Sequence, residues 1–300
     1  MTYDLVIIGG GAGGLTCALY STRYGLKTLV VSKEFGGLTA TADEIMNWPG
    51  TYSISGFQLM QDMQEQVKKN GAEFKFGNVT KVVKEDNKFI VETDSEKFEG
   101  KKVVYATGTE HRHLGIPGEK EFRGKGISYC ATCDGPFFKD KVIAVVGGGN
   151  SALTAALLLA RHGKKVYIIY RQSEFFRAEK HWVEEVEKAE NIECLHDEEV
   201  LEVKGDKFMN QLVLKSGKEV DADGLFIEIG LNPIIDVVKD IAELENGYIK
   251  VDKRQETSLK GLYAVGDVTT NSNEFKQIVT ACGEGAVASN SIYEDLSRSS

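Results

Sequence analysis

The stretch LVIIGGGAGG at residues 5–14 joins a short apolar run directly to a glycine-rich loop. Residues 5–8 are aliphatic and mostly β-branched, which is typical of a buried parallel strand. Helical spacing follows at residues 15–24, and a second apolar strand follows at residues 28–31. This order predicts a strand–helix–strand unit whose first turn carries the glycines.

The glycines of this turn have the G-x-G-x-x-G spacing of a dinucleotide-binding loop, at Gly9, Gly11 and Gly14. Such a loop permits a tight turn, lets a pyrophosphate approach the backbone and lets the helix pack on the strand. We expect the N–H groups at the start of the helix, including that of Ala12, to face the phosphates. A glycine-rich turn without a ligand is the alternative, which the flanking strand and helix disfavour. Glu34 stands where an acid that binds ribose is expected.

The same pattern returns later in the chain. An apolar run at residues 142–146 precedes GGGNSA at residues 147–152, and a helical segment and the strand at 166–170 follow. Gly147 lies 138 residues after Gly9 (147 − 9), a distance that fits two domains of similar fold. The sequence therefore predicts a second dinucleotide site.

The second loop is expected to bind a nicotinamide coenzyme through Gly149, Asn150 and Ser151. The residue after the next strand discriminates between coenzymes, because an acid there suits NADH and an arginine suits the 2′-phosphate of NADPH. Arg171 holds that place and Arg177 follows, which favours NADPH. The alternative is that both arginines are solvated surface cations.

Cys130-Ala131-Thr132-Cys133-Asp134 places two thiols at C-x-x-C spacing beside a carboxylate. Such a pair can form and break a disulfide, and the carboxylate can transfer the proton that thiol chemistry releases. Two structural cysteines or half of a zinc site are the alternatives, but the two dinucleotide loops favour a redox pair. The histidines show no ligand spacing, so no metal is predicted.

The composition narrows the class of protein. The chain has 300 residues and a net charge of −9, which argues against nucleic-acid binding. No apolar run reaches the roughly 18 residues of a transmembrane helix, and the first residues lack the basic region of a signal peptide. The five cysteines, of which only Cys130 and Cys133 are close in sequence, do not indicate a disulfide framework. We therefore expect a cytoplasmic protein without a membrane partner.

In order and spacing, seven segments together resemble the low-molecular-weight, bacterial-type thioredoxin reductases. They are GGGAGG at 9–14, NWPG at 47–50, ATG at 106–108, CATCDG at 130–135, GGGNSA at 147–152, FRAEK at 176–180 and AVGD at 264–267. The likeness spans essentially the whole chain, and CATCDG between two such loops is its most specific part.

The resemblance implies an α/β fold of two Rossmann-like domains of three-layer ββα type, the second inserted in the first. The FAD-binding domain would comprise residues 1–112 and 248–300, and the NADPH-binding domain with the redox pair would comprise residues 113–247. It also implies a homodimeric thioredoxin-disulfide reductase in which Cys133 lies against the flavin, Cys130 attacks the disulfide of thioredoxin and Asp134 is the acid–base residue.

Further flavin-site positions follow from the resemblance. They are Gly37, Thr41, Asn47, Thr107, Gly108, Gly266, Asp267, Lys276 and Gln277.

Two departures from the family pattern concern charge: Gln172 replaces one phosphate-binding cation, and Lys276 replaces an arginine. The first leaves NADH or a reduced ferredoxin open as the electron donor, and a glutaredoxin-like protein or a peroxiredoxin partner stays open as the acceptor. A non-catalytic nucleotide-binding module is a further hypothesis, which the intact cysteine pair disfavours.

Overall fold

Two compact units make up the computed structural model, which describes residues 2–42, 44–272 and 275–298. The first unit runs to Glu110 and resumes at Asn232, and the second comprises His111–Leu231. The second unit is thus an insertion in the first, as the sequence predicts.

The helices are α1 (Ala12–Arg23), α2 (Gly56–Lys69), α3 (Ala131–Asp134), α4 (Asn150–Ala160), α5 (Lys180–Lys188) and α6 (Ile278–Arg298). The strands are β1 (Thr2–Ile8), β2 (Thr28–Ser32), β3 (Glu73–Phe76), β4 (Val79–Glu85), β5 (Lys88–Thr93), β6 (Lys97–Tyr105), β7 (Thr109–His111), β8 (Ile127–Ser128), β9 (Val142–Val146), β10 (Lys165–Tyr170), β11 (Ile192–His196), β12 (Val200–Gly205), β13 (Met209–Leu214), β14 (Glu219–Asp221), β15 (Gly224–Ile227), β16 (Leu231–Pro233), β17 (Leu244–Glu245), β18 (Tyr248–Ile249) and β19 (Leu262–Ala264). Short 3-10 turns lie at Gly37–Thr41, Gly135–Phe138 and Gly266–Val268.

A mixed sheet forms the centre of the first unit. Its parallel part has the order β3-β2-β1-β6. The carboxyl half of β6 pairs in parallel with β19, and its amino half pairs antiparallel with β5, which continues to β4. The ends of β1, β2, β6 and β19 therefore meet at one edge of the sheet, and the flavin-loop motifs of the sequence follow these strands.

The two faces of this sheet bury alternate side chains. Leu5 and Ile7 belong to the apolar cluster that contains the buried faces of α1 and α6, whereas Val6 and Ile8 belong to the cluster on the other face, with Phe89 of β5. The two helices pack closely because residue 285 is glycine. A Cβ atom at Gly285 would lie 2.3 Å from the carbonyl oxygen of Gly13, which is too close for any larger residue. This packing holds the start of α1 against the sheet.

A parallel sheet also forms the centre of the second unit, with the order β11-β10-β9-β15-β8. A separate antiparallel sheet, β12-β13-β14, packs on it through an apolar cluster that includes Leu212 and Leu225. The glycine loop follows β9 and the cysteine pair follows β8. The two features therefore lie at the same edge of the sheet, with β15 between their strands.

The point at which the chain returns from the second unit to the first differs from the sequence prediction. The predicted second domain extends to residue 247, whereas residues 232–247 belong to the first unit. Val238 is fully buried there, in the cluster that contains Val6 and Phe89, and Ile235 and Ile241 pack against the same cluster. Their apolar side chains are packed in the core of the first unit, which the local sequence pattern does not indicate. Across the described residues, no helix is both long and apolar enough to cross a membrane.

Candidate active site

The first glycine loop is shaped by close backbone approaches. A Cβ atom at Gly9, whose φ is +115°, would lie 2.3 Å from the carbonyl oxygen of Ala106, and one at Gly14 would lie 2.1 Å from that of Gly9. A Cβ atom at Gly11 would meet only the carbonyl oxygen of Gly36, at 4.0 Å. Gly9 and Gly14 are thus required by the fold itself, and Gly11 borders open space.

Helix α1 begins beside that open space with Ala12. Gly11 precedes the helix and has no side chain to cap it, so the first-turn N–H groups are left to other acceptors. A pyrophosphate satisfies such groups and is favoured by the positive end of the helix dipole. Gly37, with a φ of +58°, borders the same space, since its Cβ atom would lie 3.8 Å from the Cα atom of Gly11. The loop therefore fits the pyrophosphate of FAD.

The end of β2 supports this loop through Ser32, which the sequence analysis did not single out. The N–H of Gly10 donates to the Ser32 hydroxyl oxygen at 3.1 Å, and that hydroxyl donates to the carbonyl oxygen of Glu34 at 2.7 Å. Glu34 itself is exposed at the edge of the loop. Thr41 uses its hydroxyl within its own 3-10 turn, on the carbonyl oxygen of Leu38.

The end of β6 is bonded to the segment that resumes the first unit. The Thr107 hydroxyl donates to the carbonyl oxygen of Ile234 at 2.8 Å, and the N–H of Ile234 donates to the carbonyl oxygen of Gly108 at 3.1 Å. Thr107 and Gly108 are thereby held beside the first glycine loop, because Ala106 contacts Gly9.

The predicted flavin-site residues Asn47 and Gln277 contact each other, although they are far apart in sequence. The Asn47 amide donates to the Gln277 side-chain oxygen at 3.0 Å. Lys276, next in the chain, donates to the carbonyl oxygen of Thr269 at 2.6 Å and lies over the ring of Tyr248. The structure therefore brings both sides of the predicted flavin site together.

Asp267 follows β19 at this edge, in the 3-10 turn Gly266–Val268. Burial raises the pKa of Asp267 to about 6, Lys276 opposes this shift and Glu284 adds to it. A partly buried carboxyl group beside a lysine can accept a hydroxyl from a ligand such as the ribityl chain of FAD.

Glu284 holds the turn that carries Asp267, and the sequence analysis missed it. Its carboxylate, 6% exposed in α6, accepts the N–H of Gly266 at 2.6 Å and the Ser272 hydroxyl, and the Thr269 hydroxyl lies 3.3 Å away. This role depends on the fold, because α6 returns onto the turn that follows β19. In the sequence, the only indication is that Glu284 is an acidic residue among the small residues of this helix.

The second glycine loop repeats the same design. A Cβ atom at Gly147 would lie 2.4 Å from the carbonyl oxygen of Glu228, whereas one at Gly149 would have no neighbour within 4 Å. Helix α4 begins at Asn150, again without a side-chain cap on its first turn. The open space at Gly149 and the exposed Ser151 beside it fit the pyrophosphate of a nicotinamide coenzyme.

The predicted coenzyme arginines both lie beside this loop. Arg171 directly follows β10, whose last residue, Tyr170, packs its ring against Gly148. Arg177 pairs with Gly149 through an isolated backbone bridge. Asn150 and Glu179 form two hydrogen bonds. The Asn150 side-chain amide donates to the Glu179 carboxylate at 2.9 Å, and the Glu179 backbone N–H donates to the Asn150 side-chain oxygen at 2.8 Å. This pair, which the sequence did not indicate, ties the arginine-containing segment to α4.

Cys130 and Cys133 are joined by a disulfide at the start of α3, with their Cα atoms 5.3 Å apart. The N–H of Cys133 donates to the Cys130 sulfur at 3.2 Å. Ser128 links the pair to Asp134: its hydroxyl oxygen accepts the N–H of Cys130 at 3.0 Å, and the hydroxyl donates to the Asp134 carboxylate at 2.5 Å. A short helix and one serine thus connect the disulfide to its neighbouring carboxylate.

Comparison with known proteins identifies the family. Residues 3–285 match the family described as pyridine nucleotide-disulphide oxidoreductase. The chain belongs to this family. A thioredoxin reductase of Treponema pallidum is 39% identical over 293 residues, covering 95% of this chain and 94% of its own. One of Bacillus subtilis is 36% identical, covering 97% and 93%.

A solved structure, the thioredoxin reductase of Streptococcus pyogenes, matches the fold with a TM-score of 0.91 at 35% identity, covering 99% of both chains. These matches confirm the predicted α/β two-domain fold and the predicted oxidoreductase class. They also confirm the cofactor set, because the thioredoxin reductases of this family use FAD and NADPH. The roles of the individual site residues stay predictions.

Metal ligation has no support in the part of the chain that the structure describes, where no group of three or more His, Cys, Asp or Glu side chains could hold an ion.

The remaining cysteines, Cys17, Cys194 and Cys282, are free. Burial raises the pKa of Cys17 to about 12 and raises the pKa values of Cys194 and Cys282. They are therefore poor nucleophiles at neutral pH, unlike a C-x-x-C thiol.

Proposed function

We propose that this chain is a thioredoxin-disulfide reductase that passes electrons from NADPH through FAD to the Cys130–Cys133 pair and on to thioredoxin. One observation carries the proposal: the bonded cysteine pair lies at the same sheet edge as the second glycine loop, in a chain similar to named thioredoxin reductases. The overall reaction consumes NADPH, one proton and the disulfide of thioredoxin, and yields NADP⁺ and its dithiol.

The two units divide the binding tasks. In the first, the loop at Gly11, the Asn47–Gln277 pair and Asp267 hold and orient FAD. In the second, the space at Gly149 and the cations Arg171 and Arg177 hold NADPH. Bound FAD supplies a two-electron relay between the coenzyme and the disulfide.

The reduced cysteines then carry out thiol–disulfide exchange. Cys130 as thiolate attacks one sulfur of the partner disulfide, a mixed disulfide forms and one partner sulfur leaves as thiolate. Cys133 then attacks the Cys130 sulfur, which restores the pair and releases the second partner sulfur. The N–H of Cys133 stabilises the Cys130 thiolate, because a hydrogen bond to the charged form lowers the pKa of a thiol. Asp134, held by Ser128, transfers the proton.

We propose a homodimer as the functional state and the cytoplasm as its location. The homodimer is supported by large side chains of α1, of its C-cap Tyr24 and of α6, since Tyr20, Tyr24, Val287 and Tyr293 are all at least 37% exposed and Tyr24 stacks on Tyr293. The three free cysteines and the use of NADPH suit a reducing compartment. Light scattering of the purified protein tests the dimer: a mass near 33 kDa instead of twice that value would contradict it.

One feature favours NADH as a second donor. Gln172 stands where a third cation would help to bind the 2′-phosphate. The segment that follows β11 makes backbone hydrogen bonds to this part of the chain. The N–H of Asp197 donates to the carbonyl oxygen of Gln172, and the N–H of Glu198 donates to that of Tyr170. Two acidic residues are thus bonded through their backbone to the segment that contains Arg171, and negative charge in that region lowers the positive potential available to a phosphate. We expect NADPH to reduce the flavin faster than NADH, but by a modest factor.

The test is NADPH-dependent reduction of thioredoxin by the wild type and by Cys130→Ser and Cys133→Ser. Each variant is expected to lose turnover while it retains FAD, because neither cysteine belongs to the FAD-binding loop. Cys194→Ser is the matched control and is expected to keep full activity, since Cys194 is a free cysteine on β11. Full thioredoxin reduction by either redox-pair variant would contradict the proposal. Rapid-mixing measurements of flavin bleaching by NADPH, NADH and reduced ferredoxin identify the donor.

A further inference from the structure

Glu228 carries a half-buried carboxyl group beside the redox disulfide, and no step described above uses it. It directly follows β15, the strand between β9 and β8 in the sheet of the second unit. The glycine loop follows β9 and the cysteine pair follows β8. Because neighbouring strands lie about 4.8 Å apart, Glu228 stands between the coenzyme loop and the disulfide.

The backbone of Glu228 is fixed in this place. Its N–H donates to the carbonyl oxygen of Val146 at 2.8 Å, and its own carbonyl oxygen lies where a side chain on Gly147 would clash. Its carboxylate accepts the backbone N–H of Ala131, the residue that directly follows Cys130. The carboxyl group is therefore one peptide unit from the first cysteine of the pair.

We propose that Glu228 is a positioning residue for the redox pair: its carboxyl group anchors the Ala131 amide, and its charge sets how readily the reduced cysteines lose a proton. This inference rests on the proposed redox role of Cys130 and Cys133.

Burial supports the proposal, because it raises the pKa of Glu228 to about 7, and the Ala131 N–H only partly opposes this shift. The carboxyl group thus changes charge near neutral pH, where thiol exchange operates. Other charged groups on the surrounding elements are Asp134 of α3, Arg112, whose side chain lies near Gly230, and Glu179, which is bonded to Asn150 of α4. None of them is among the causes of the Glu228 shift.

Reduction changes the charge beside this group. The sulfur–sulfur bond breaks, two electrons enter from the reduced flavin, and the two sulfurs together bind up to two protons. A thiolate formed there and an ionised Glu228 repel each other, so each raises the pKa of the other. Above pH 7, the ionised Glu228 carboxylate therefore raises the pKa of the thiol and lowers the fraction present as thiolate. Below that pH, Glu228 is protonated and uncharged, so it has no such effect on the thiol.

The experiment measures alkylation of the reduced holoenzyme by iodoacetamide from pH 5 to 9, with the modified cysteine located by mass spectrometry. Glu228→Gln removes the charge and keeps the size of the side chain. The thiol of the variant is expected to ionise about one pKa unit lower, so alkylation at a pH above 7 but below both thiol pKa values is roughly tenfold faster, and the ratio shrinks as the thiols become fully ionised. Near pH 5 the two proteins are expected to react alike.

Glu121→Gln is the matched control, because Glu121 is an exposed glutamate of the same unit. Its profile is expected to follow the wild type. Glu228→Asp keeps the charge and is expected to keep the suppression above pH 7. If Glu228→Gln does not fold, the wild-type profile decides: it must show the carboxyl ionisation near pH 7 besides that of the thiol, and a single ionisation overturns the proposal.

A Glu228→Gln profile that overlays the wild type also overturns the proposal, even if the variant is less stable, because a purely structural role leaves the pH profile unchanged. Failure of the proposed function looks different. In that case, NADPH would release no alkylatable thiol at Cys130 or Cys133 in the wild type itself.

Discussion

Replacing Gly11 with alanine distinguishes a residue that the fold needs from one that a ligand needs. The added Cβ atom would meet only the carbonyl oxygen of Gly36, at 4.0 Å, and the φ of −79° suits alanine. The folding cost is thus limited to exchanging glycine for alanine at a helix N-cap, about 1 kcal/mol or less. The methyl group does, however, occupy the open space at the start of α1.

The expected loss is in FAD affinity. Displacing a pyrophosphate from the first turn of α1 breaks about two charge-assisted hydrogen bonds, each contributing about 1.5–3 kcal/mol. The sum, about 3–6 kcal/mol, corresponds to a dissociation constant larger by about 10² to 10⁴. The variant is expected to purify with little yellow colour and with a melting temperature close to that of the flavin-free wild type.

The assay is titration of flavin-free protein with FAD, followed by the quenching of flavin fluorescence. Gly283→Ala in α6 is the matched control, because Gly283 is exposed and its Cβ atom would meet nothing within 4 Å. It is expected to bind FAD like the wild type. Unchanged FAD affinity in Gly11→Ala would refute the placement of the pyrophosphate.

Three further perturbations test neighbouring parts of the account. Glu284→Gln is expected to lower the melting temperature by about 5 °C and to weaken FAD binding, because the amide is a weaker acceptor for the Gly266 N–H; calorimetry that shows no change would contradict its role in the turn. In flavin-free protein, the contribution of Asp267 to stability is expected to fall as pH rises from about 4 to above 6, because its pKa, raised to about 6, makes its ionisation unfavourable in the folded state. Asp267→Asn is expected to reduce that fall in urea unfolding at pH 5 and 7.5, and an identical pH dependence would count against it. Gln172→Arg is expected to raise the kcat/KM ratio of NADPH over NADH about tenfold by adding a phosphate-binding cation, and steady-state kinetics showing an unchanged ratio would place the 2′-phosphate elsewhere.

Local patterns predicted most of the framework. The apolar runs before Gly9 and Gly147 are strands, and each glycine loop opens a helix, because strand, turn and helix are encoded within about 25 consecutive residues. The cysteine pair was also visible from its spacing. A motif of this kind names the chemistry and its place on an element without any long-range contact.

Contacts between distant segments could not be predicted in this way. Glu284 holds the turn at Gly266, and Ser128 links Asp134 to the cysteine pair, only because the fold brings them together. The predicted second domain includes residues 232–247, which belong to the first unit, because nothing in their sequence indicates which core receives Val238. Partners of this kind depend on tertiary packing instead of on spacing.

The central claim is that electrons from NADPH reach the disulfide between Cys130 and Cys133. The most direct measurement is mass spectrometry of the FAD-loaded protein, quenched with a thiol-blocking reagent before and after anaerobic addition of NADPH. The peptide with both cysteines is expected to gain two labels only after NADPH is added, while Cys194 is labelled to the same extent in both samples. A pair that stays disulfide-bonded while the flavin is fully reduced would contradict the account.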